Sequence, residues 1–228
     1  MTTILALESS ADACSVALLK DGRVEQRFEL APRQHTRLML PMVDELLGEQ
    51  GCRLADVDVF AFGAGPGSFT GLRIAVGLVQ GLAFALDRPV VAVPSLLGLA
   101  VTALREYDFS VGQTLAVAID ARMEEIYWAT FKVTEDGPLI SDPVAVVALA
   151  ELPELEAGFI AIGNAWGLPE LSAMAMSASA VFVDVVPHAQ DLIPLAQAMF
   201  DAGNFTSAAE AVPDYVRNTV SWKKLSEQ

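Results

Sequence analysis

Residues 63–67, Gly-Ala-Gly-Pro-Gly, are the part of this sequence best suited to chemistry. They follow an apolar run at 57–62 and precede a long apolar stretch that ends at Leu86. A loop of this composition can point backbone N–H groups at a phosphate beside a helix N-terminus, or it can make a tight strand-to-helix connection. Ser9, Ser10 and Asp12, which follow the first predicted strand, could form a first phosphate turn. One interpretation is therefore a vestigial phosphate loop formed by Ser9, Ser10, Gly65 and Gly67.

The elements that would position this loop follow the same plan in each half of the chain. Period-two and apolar runs predict three strands in the first half, followed by helices that alternate with strands. The predicted elements are strands 4–8, 14–20 and 23–30, helix 36–50, strand 57–62, helix 70–86, strand 90–93 and a helix from about 95. The second half returns to strands at 115–120 and 125–133, a turn at Asp136-Gly137, strand 159–162, helix 165–175, strand 181–185 and helix 189–202.

Three antiparallel strands followed by α/β alternation, twice in one chain, are typical of the actin-like ATPase (ASKHA) fold. The matching acidic ends of the first strands, Glu8 and Asp120, lie about half a chain length apart. We therefore predict an α/β protein with two related domains of the βββαβαβα type. The predicted domains are 1–104, which carries the helices for association, and 105–228, whose tail could pack back on the first domain.

The glycine-rich loop lacks the residues of an ordinary ATP-binding loop. A P-loop continues with Gly-Lys-Ser or Gly-Lys-Thr, whereas this sequence continues with Gly71, Leu72 and Arg73. An actin-like kinase also needs a first-strand acid to hold a metal ion and a second-half aspartate to act as the base. Because Glu8 and Asp120 stand at roughly those places, a stand-alone ATPase or phosphotransferase stays open as an alternative function.

The histidines and cysteines are expected to be structural residues, neither catalytic nor metal-binding. His35 and His188 are the only histidines and lie in different halves, so no pair has the spacing of a metal site, and each is expected to be a hydrogen-bonded structural residue. Cys14 and Cys52 are expected to be core residues without a disulfide, which favours a reducing compartment. The N-terminus lacks a basic start and no apolar stretch approaches ~20 residues, which predicts a cytoplasmic protein without a membrane segment.

The net charge of −15 is distributed unevenly. Residues 1–104 contain 11 acidic and 8 basic side chains, whereas residues 105–228 contain 18 acidic and 6 basic ones. A surface that binds nucleic acid alone needs clustered Lys and Arg. Any contact with RNA is therefore expected to be shared with a basic partner. In an assembly, a basic-aromatic tail could touch the partner or tRNA, and its residues are Arg217, Trp222, Lys223 and Lys224.

The helices predicted at 36–50 and 70–86 carry more apolar surface than one core needs. After Arg73 the only polar side chain up to Leu86 is Gln80, and a helix that is apolar on every side is normally buried on every side. We predict that a second chain covers both helices in a four-helix bundle; the alternative is that the second domain covers them. The predicted interface residues are Leu38, Met42, Leu46, Leu72, Val76, Gly77, Val79, Gln80 and Ala83.

Several motifs resemble the TsaB (YeaZ) family of tRNA threonylcarbamoyladenosine synthesis. The most specific is 65–73, Gly-Pro-Gly-Ser-Phe-Thr-Gly-Leu-Arg. Other matching stretches are Ile-Leu-Ala-Leu-Glu-Ser-Ser at 4–10, Gln34-His35 with Arg-Leu-Met-Leu-Pro at 37–41, Val-Ala-Val-Pro-Ser-Leu at 91–96, and Val216-Arg217 with Trp-Lys-Lys-Leu at 222–225. The likeness is close over the first hundred residues and loose over the remainder.

The resemblance implies an accessory subunit without catalytic residues. It would bind and stabilise a catalytic homologue of the TsaD family, which modifies the adenosine beside the tRNA anticodon. In that group a His-x-x-x-His pair at a helix start holds a metal ion. Ser95 and Leu99 stand at the matching positions here, which implies that the metal site is absent.

The resemblance also implies a set of partners. An ATPase subunit of the TsaE family would join the complex, and tRNA would be contacted only through that complex. The chain alone would form a homodimer and bind no cofactor, although a nucleotide could sit at the joint surface. A distant similarity to glycoproteases leaves a peptidase that acts on the partner as a further alternative.

Overall fold

The computed structural model describes residues 2–216, and it contains two five-stranded mixed sheets of the same topology. The first sheet has the order β3-β2-β1-β4-β5, in which β1, β2 and β3 are antiparallel and β4 and β5 run parallel to β1. Its strands are β1 (Ile4–Glu8), β2 (Ala13–Lys20), β3 (Arg23–Leu30), β4 (Val59–Gly65) and β5 (Val90–Pro94).

The second sheet repeats this arrangement strand by strand. Its order is β10-β9-β6-β7-β8, with an antiparallel meander followed by two parallel strands. Its strands are β6 (Thr114–Arg122), β7 (Glu125–Thr134), β8 (Gly137–Ala148), β9 (Ile160–Ile162) and β10 (Ala180–Phe182). The predicted duplication of a three-strand meander followed by α/β alternation is confirmed.

The helices cover the two sheets unequally. They are α1 (His35–Glu49), α2 (Phe69–Leu86), α3 (Ser95–Glu106), α4 (Ser172–Ala175) and α5 (Ala189–Asp201). The first two contact each other and pack on one face of the first sheet, where Leu5 and Phe62 are fully buried. The opposite face, which carries Ile4 and Val91, packs against α5.

Helices α3 and α5 cross between the halves of the sequence. Leu96 and Leu99 of α3 share a core with Leu115 and Phe131 of the second sheet, whereas α5 packs on the first sheet. The two helices also contact each other. The division at 104/105 stays a prediction, and the packing shows that each half of the sequence contributes a helix to the core of the other.

The helix predicted at 165–175 is wrong. Two short 3-10 turns, Asn164–Gly167 and Pro169–Leu171, precede the four-residue α4 instead. The residue before a proline is disfavoured in the α region, and Leu168 accordingly has extended angles, with φ −74° and ψ 139°. Trp166 fixes this segment to the sheet because its indole N–H donates to the carbonyl of Ala116 at 2.9 Å.

Candidate functional site

The glycine-rich loop packs tightly against the turn that follows β1. A Cβ added to Gly67 would lie 2.4 Å from the carbonyl oxygen of Ser10, and one added to Gly71 would lie 1.8 Å from that of Ser9. Ser68 N donates to Ser10 O at 2.7 Å, and Ser9 Oγ donates to Gly71 O at 2.8 Å. The structure thus brings the predicted serines and glycines together, and the glycines allow backbone to meet backbone.

The groups that a phosphate would use are largely engaged within the chain. Ser9 and Ser10 are buried, and Ser68 caps α2 by accepting from Gly71 N at 3.3 Å. Asp214 lies over the outer side of the loop, where its N–H donates to Ala64 O at 2.7 Å and its carbonyl would be 2.8 Å from a Cβ on Gly65. The phosphate-loop interpretation stays a prediction, while the packing by itself accounts for the glycines.

Glu8 ends β1 with a carboxyl group that is sealed inside the chain. Its side chain lies across Gly63, where an added Cβ would be 1.8 Å from Glu8 Oε2. Oε1 accepts from Ser10 N at 2.5 Å, and Oε2 has no hydrogen-bond partner. Burial raises the pKa of Glu8 to about 7, although hydrogen bonds from Ser10 and Ser9 act in the opposite direction. A carboxyl group this enclosed is not open to a metal ion from solvent.

Asp120, the counterpart of Glu8 in the second half, lies in a different environment. It is partly exposed, accepts from Arg122 N at 2.8 Å and pairs with Arg122 Nη1 at 2.9 Å. The turn that follows is strained, because Arg122, Met123 and Glu124 all have positive φ. The two acids proposed for ATPase chemistry therefore differ in the feature that matters, which is access to solvent.

Ser95 and Leu99 are both buried at the start of α3. Ser95 Oγ accepts from Gly65 N at 2.9 Å, which ties α3 to the glycine-rich loop, and Leu99 packs in the core of the second sheet. Within residues 2–216, no group of three or more His, Cys, Asp or Glu side chains is arranged to hold a metal ion. The absence of a metal site in the whole chain stays a prediction.

Both histidines have hydrogen-bonding partners inside the protein, as predicted. His35 Nε2 lies 2.9 Å from Ala11 O and 3.1 Å from Ala13 O, which fixes the start of α1 to the β1–β2 turn. His188 stacks on Phe28 with ring centroids 4.1 Å apart, and its Nδ1 is 3.1 Å from Gln26 Nε2. Burial lowers the pKa of His188, and the nearby Arg105 acts in the same direction.

The partner interface stays a prediction, although six of its nine predicted residues are buried. They fill the chain's own core at no more than 7% exposure, because α1 and α2 pack these faces on the first sheet. The six are Met42, Leu46, Leu72, Val76, Val79 and Ala83. Leu38 is half-buried, Gln80 donates to Ala211 O at 2.8 Å, and Gly77 is exposed.

Residues 2–216 leave the opposite side of α2 uncovered. Its exposed positions recur with the helical period and form what we call the α2 stripe: Thr70, Arg73, Gly77, Gly81 and Phe84. A Cβ at Gly77 or Gly81 would meet nothing within 4 Å, and Phe84 is 77% exposed. By length and composition α2 also meets the criteria for a membrane-crossing helix, with 33% of it buried, and its buried face packs on the sheet as a core helix does.

One edge of the α2 stripe is bounded by the end of the described chain, residues 205–216, which we call the C-terminal strap. Thr206 pairs with Val90 through two backbone hydrogen bonds of 2.9 Å. Further on, Tyr215 contacts the ring of Phe69, and its hydroxyl accepts from Arg73 Nε at 3.0 Å. Arg73 also lies 3.8 Å from the ring centroid of Phe69. The strap therefore runs antiparallel to α2; the basic-aromatic residues 217–228 lie outside the described residues.

A buried cluster between α3 and α5 was not predicted from the sequence. Asp191 is 4% exposed, and it accepts from Thr102 Oγ1 at 2.7 Å and from Arg105 Nε at 2.8 Å. Thr102 Oγ1 also accepts from His188 N at 3.2 Å. The available signal was an acidic residue in the first turn of an amphipathic helix, which is equally typical of a solvent-exposed helix start.

Comparison with known proteins agrees with this architecture. A family model described as "TsaD: tRNA N6-adenosine threonylcarbamoyltransferase" matches residues 28–206. A solved structure described as "YeaZ from Pseudomonas aeruginosa" has a TM-score of 0.83 and 42% identity, covering 94% of this chain and 100% of that one. Another, described as an uncharacterized protein with similarity to peptidase YEAZ from Pseudomonas aeruginosa, has a TM-score of 0.87 and 42% identity over 95% of this chain and 100% of that one. The class is thus the actin-like ATPase fold.

Curated relatives narrow the class further. A protein of Escherichia coli named "tRNA threonylcarbamoyladenosine biosynthesis protein TsaB" is 38% identical, with 97% of each chain covered. The protein of the same name from Haemophilus influenzae is 37% identical, with 98% of this chain and 97% of that one covered. The chain belongs to the TsaB (YeaZ) family.

Proposed function

We propose that this chain is a non-catalytic subunit of tRNA threonylcarbamoyladenosine biosynthesis, which binds and stabilises a catalytic homologue of the TsaD family. Participation in this pathway follows from the curated names of its near full-length relatives. The modification concerns tRNA, so we place the protein in the cytoplasm. A TsaE-family ATPase would join the complex, and this acidic chain would meet tRNA only through its partners.

The observation that carries the accessory role is the α2 stripe. A helix as apolar as α2 is rarely left exposed along one side, and the empty space above Gly77 and Gly81 would let a second backbone approach. Phe84, at the far end of the stripe, supplies a large exposed aromatic side chain of the kind that anchors interfaces. In the absence of the catalytic partner, the same face would support a homodimer.

The non-catalytic part of the proposal is supported by what surrounds the polar groups. Glu8 is fully buried, and both histidines are hydrogen-bonded inside the chain. Neither Ser95 nor Leu99 presents a metal-binding atom to solvent. The chain alone would bind no cofactor, while a nucleotide at the surface shared with the partner remains compatible with the proposal.

The experiment is co-purification with the TsaD-family protein, followed by a tRNA modification assay with each component left out in turn. Gly77→Glu is expected to abolish both complex formation and modification, because it places a charge in the centre of the open stripe. Gly48→Glu is the matched control, since Gly48 is also an exposed helix glycine with open space above it. Modification that survives Gly77→Glu contradicts the interface.

The two alternatives have separate tests. ATP turnover by the purified chain, lost in Glu8→Ala or Asp120→Ala, would support a stand-alone ATPase, although the enclosure of Glu8 argues against it. Cleavage of the TsaD-family protein on prolonged mixing would support the peptidase that one structural relative's description suggests. Full modification activity with an intact partner and no ATP turnover by this chain alone excludes both.

A further inference from the structure

The start of α5 is capped by side chains from the first half of the chain. Ala189 N donates to Ser15 Oγ of β2 at 2.9 Å. Gln190 N donates to Gln26 Oε1 of β3, also at 2.9 Å. His188, at the N-cap position, makes no side-chain bond to the N–H groups of the helix. Because the first N–H groups of a helix lack partners within it, these two contacts fix α5 to the first sheet.

Gln26 holds His188 in one neutral form. Because Gln26 Oε1 accepts from Gln190 N, its amide nitrogen must point the other way, and that nitrogen lies 3.1 Å from His188 Nδ1. An amide N–H only donates, so Nδ1 must be the acceptor and the ring proton lies on Nε2. A second proton on Nδ1 would set two donors against each other. Turning the amide over would leave Gln190 N without its acceptor.

The charged form of His188 has a partner on a different element. Nε2 lies 3.7 Å from Glu106 Oε1 of α3, so an imidazolium would gain an ion pair there as it loses its bond to β3. Burial and the nearby Arg105 lower the pKa of His188 below its ordinary value of 6.5, whereas Asp191 and Glu106 act in the opposite direction. On β3 the ring stacks on Phe28, which cannot ionise.

This cluster lies away from the α2 stripe. Helix α5 covers the face of the first sheet that carries Ile4 and Val91, while α1 and α2 cover the other face. Helix α3 packs in the core of the second sheet. His188 therefore lies where helices that belong to different sheets meet, and a change there would leave the α2 stripe open to a second chain.

We propose that His188 is an acid-sensitive switch between β3 and α3. In its neutral form it accepts from Gln26, whose other end caps α5; in its charged form it releases Gln26, turns toward Glu106 and loosens that cap. The proposal does not rest on the proposed function. The stabilisation by the neutral form is fully present above pH 6.5 and is lost as the pH falls through 6.5, because the unfolded chain then binds the proton more readily than the folded one.

Gln26→Glu tests the switch most sharply because it reverses the expected direction. A carboxylate at this position can still accept from Gln190 N, and it can also accept from a protonated Nδ1. The chain has two histidines, so NMR titration can follow both rings, with His188→Asn to identify the signals of His188. We expect the pKa of His188 to lie below 6.5 in the wild-type protein and above 6.5 in Gln26→Glu.

Gln113→Glu is the matched control. Gln113 Oε1 also accepts from a backbone N–H, that of Ser110 at 2.6 Å, in the loop before β6. This variant should leave the titration of His188 unchanged. A His188 that titrates at or above pH 6.5 in the wild-type protein overturns the proposal, and so does the same titration in the wild-type protein and in Gln26→Glu.

Hydrogen exchange in the wild-type protein provides a test that needs no variant. As the pH falls through the pKa of His188, the protection factor of the Gln190 amide should fall severalfold, whereas that of the Ala189 amide, which donates to Ser15 Oγ, should change little. Both amides belong to the first turn of α5, so a general loss of stability would affect them equally. Equal loss at both amides, or none at Gln190, overturns the release of the cap.

Discussion

The two junctions that follow β4 and β9 are equivalent in topology but differ in what they build. After β4, Gly67 and Gly71 meet the β1–β2 turn backbone to backbone, and an 18-residue helix follows. After β9 only Gly163 makes such an approach, with an added Cβ 2.3 Å from Ala118 O, and short turns replace the helix. Duplicated strands therefore do not imply duplicated surfaces.

Because the two junctions differ, the outer faces of the two sheets are covered in different ways. The second sheet is closed by aromatic packing, in which Trp166 contacts both Trp128 and Phe159. The first is covered by α1 and α2, and residues 2–216 leave the α2 stripe exposed. An association surface would thus belong to the first half, even though both halves have the same strand order.

The largest expected loss of stability is found by comparing Gly→Ala substitutions at the two junctions. Gly71→Ala should destabilise the protein by at least about 4 kcal/mol, because its Cβ would lie 1.8 Å from the backbone oxygen of Ser9. Gly167→Ala should be nearly neutral, because its nearest neighbour would be Val183 Cγ1 at 4.0 Å. Urea unfolding of both variants checks this. Similar midpoints for the two variants would show that the junctions are equally tolerant.

The second effect depends on the different environments of Glu8 and Asp120. Because the folded-state pKa of Glu8 is about 7, above its ordinary value of 4.5, the folded protein keeps this proton where the unfolded chain has lost it. The free energy of unfolding should therefore fall as pH rises from 4.5 to 7, by roughly 3 kcal/mol relative to Glu8→Gln. Urea titrations at several pH values measure the slope, and parallel curves would refute the assignment.

A third, smaller effect separates contacts between the halves from contacts within one. Thr102→Val removes the hydroxyl that links Asp191 to His188 N, and it should cost about 2 kcal/mol because Asp191 is buried. Thr130 is the matched residue within one half. Its hydroxyl donates to Asp142 Oδ2 at 2.7 Å and accepts from Asp142 N at 3.2 Å. Asp142 is exposed, so Thr130→Val should cost less. Thermal unfolding of both variants provides the comparison, and a larger loss for Thr130→Val would contradict it.

The smallest expected change is a gain in the free energy of unfolding, whereas the substitution at Gly71 is expected to lower it. Gly77→Ala should stabilise the monomeric chain by about 0.5–1 kcal/mol, because alanine is the better helix former and its Cβ would enter open space. Chemical unfolding of the isolated chain measures this. Destabilisation of the monomer would contradict the open space above Gly77.

Much of the fold could be predicted from local patterns. The strand at 4–8 is observed at the same residues, and the helices predicted at 36–50 and 70–86 are observed within one residue of those bounds. The helix at 165–175 was wrong because Pro169 interrupts it, and the apolar pattern of that segment arises from packing on the sheet. Periodicity identifies which face of an element is apolar, but not which neighbour covers it.

The interface residues show the same limit. The sequence of α2 is apolar on every side, yet Val76, Val79 and Ala83 face the protein's own core, while Gly77 and Phe84 are left open by residues 2–216. A helix that is apolar on every side carries no information about which of its faces the rest of the chain covers. Only the position of α2 on the first sheet distinguishes them.

The sequence by itself determined the duplicated strand order, the glycine-rich junction and the family to which the chain belongs, because these depend on local residue types and spacing. Only the tertiary structure decided that the glycines serve close backbone contact, that Glu8 is sealed against Gly63, and that α3 and α5 cross between the halves. These properties depend on contacts between residues far apart in the chain, where burial and approach distance, which local patterns do not encode, determine what each group can do.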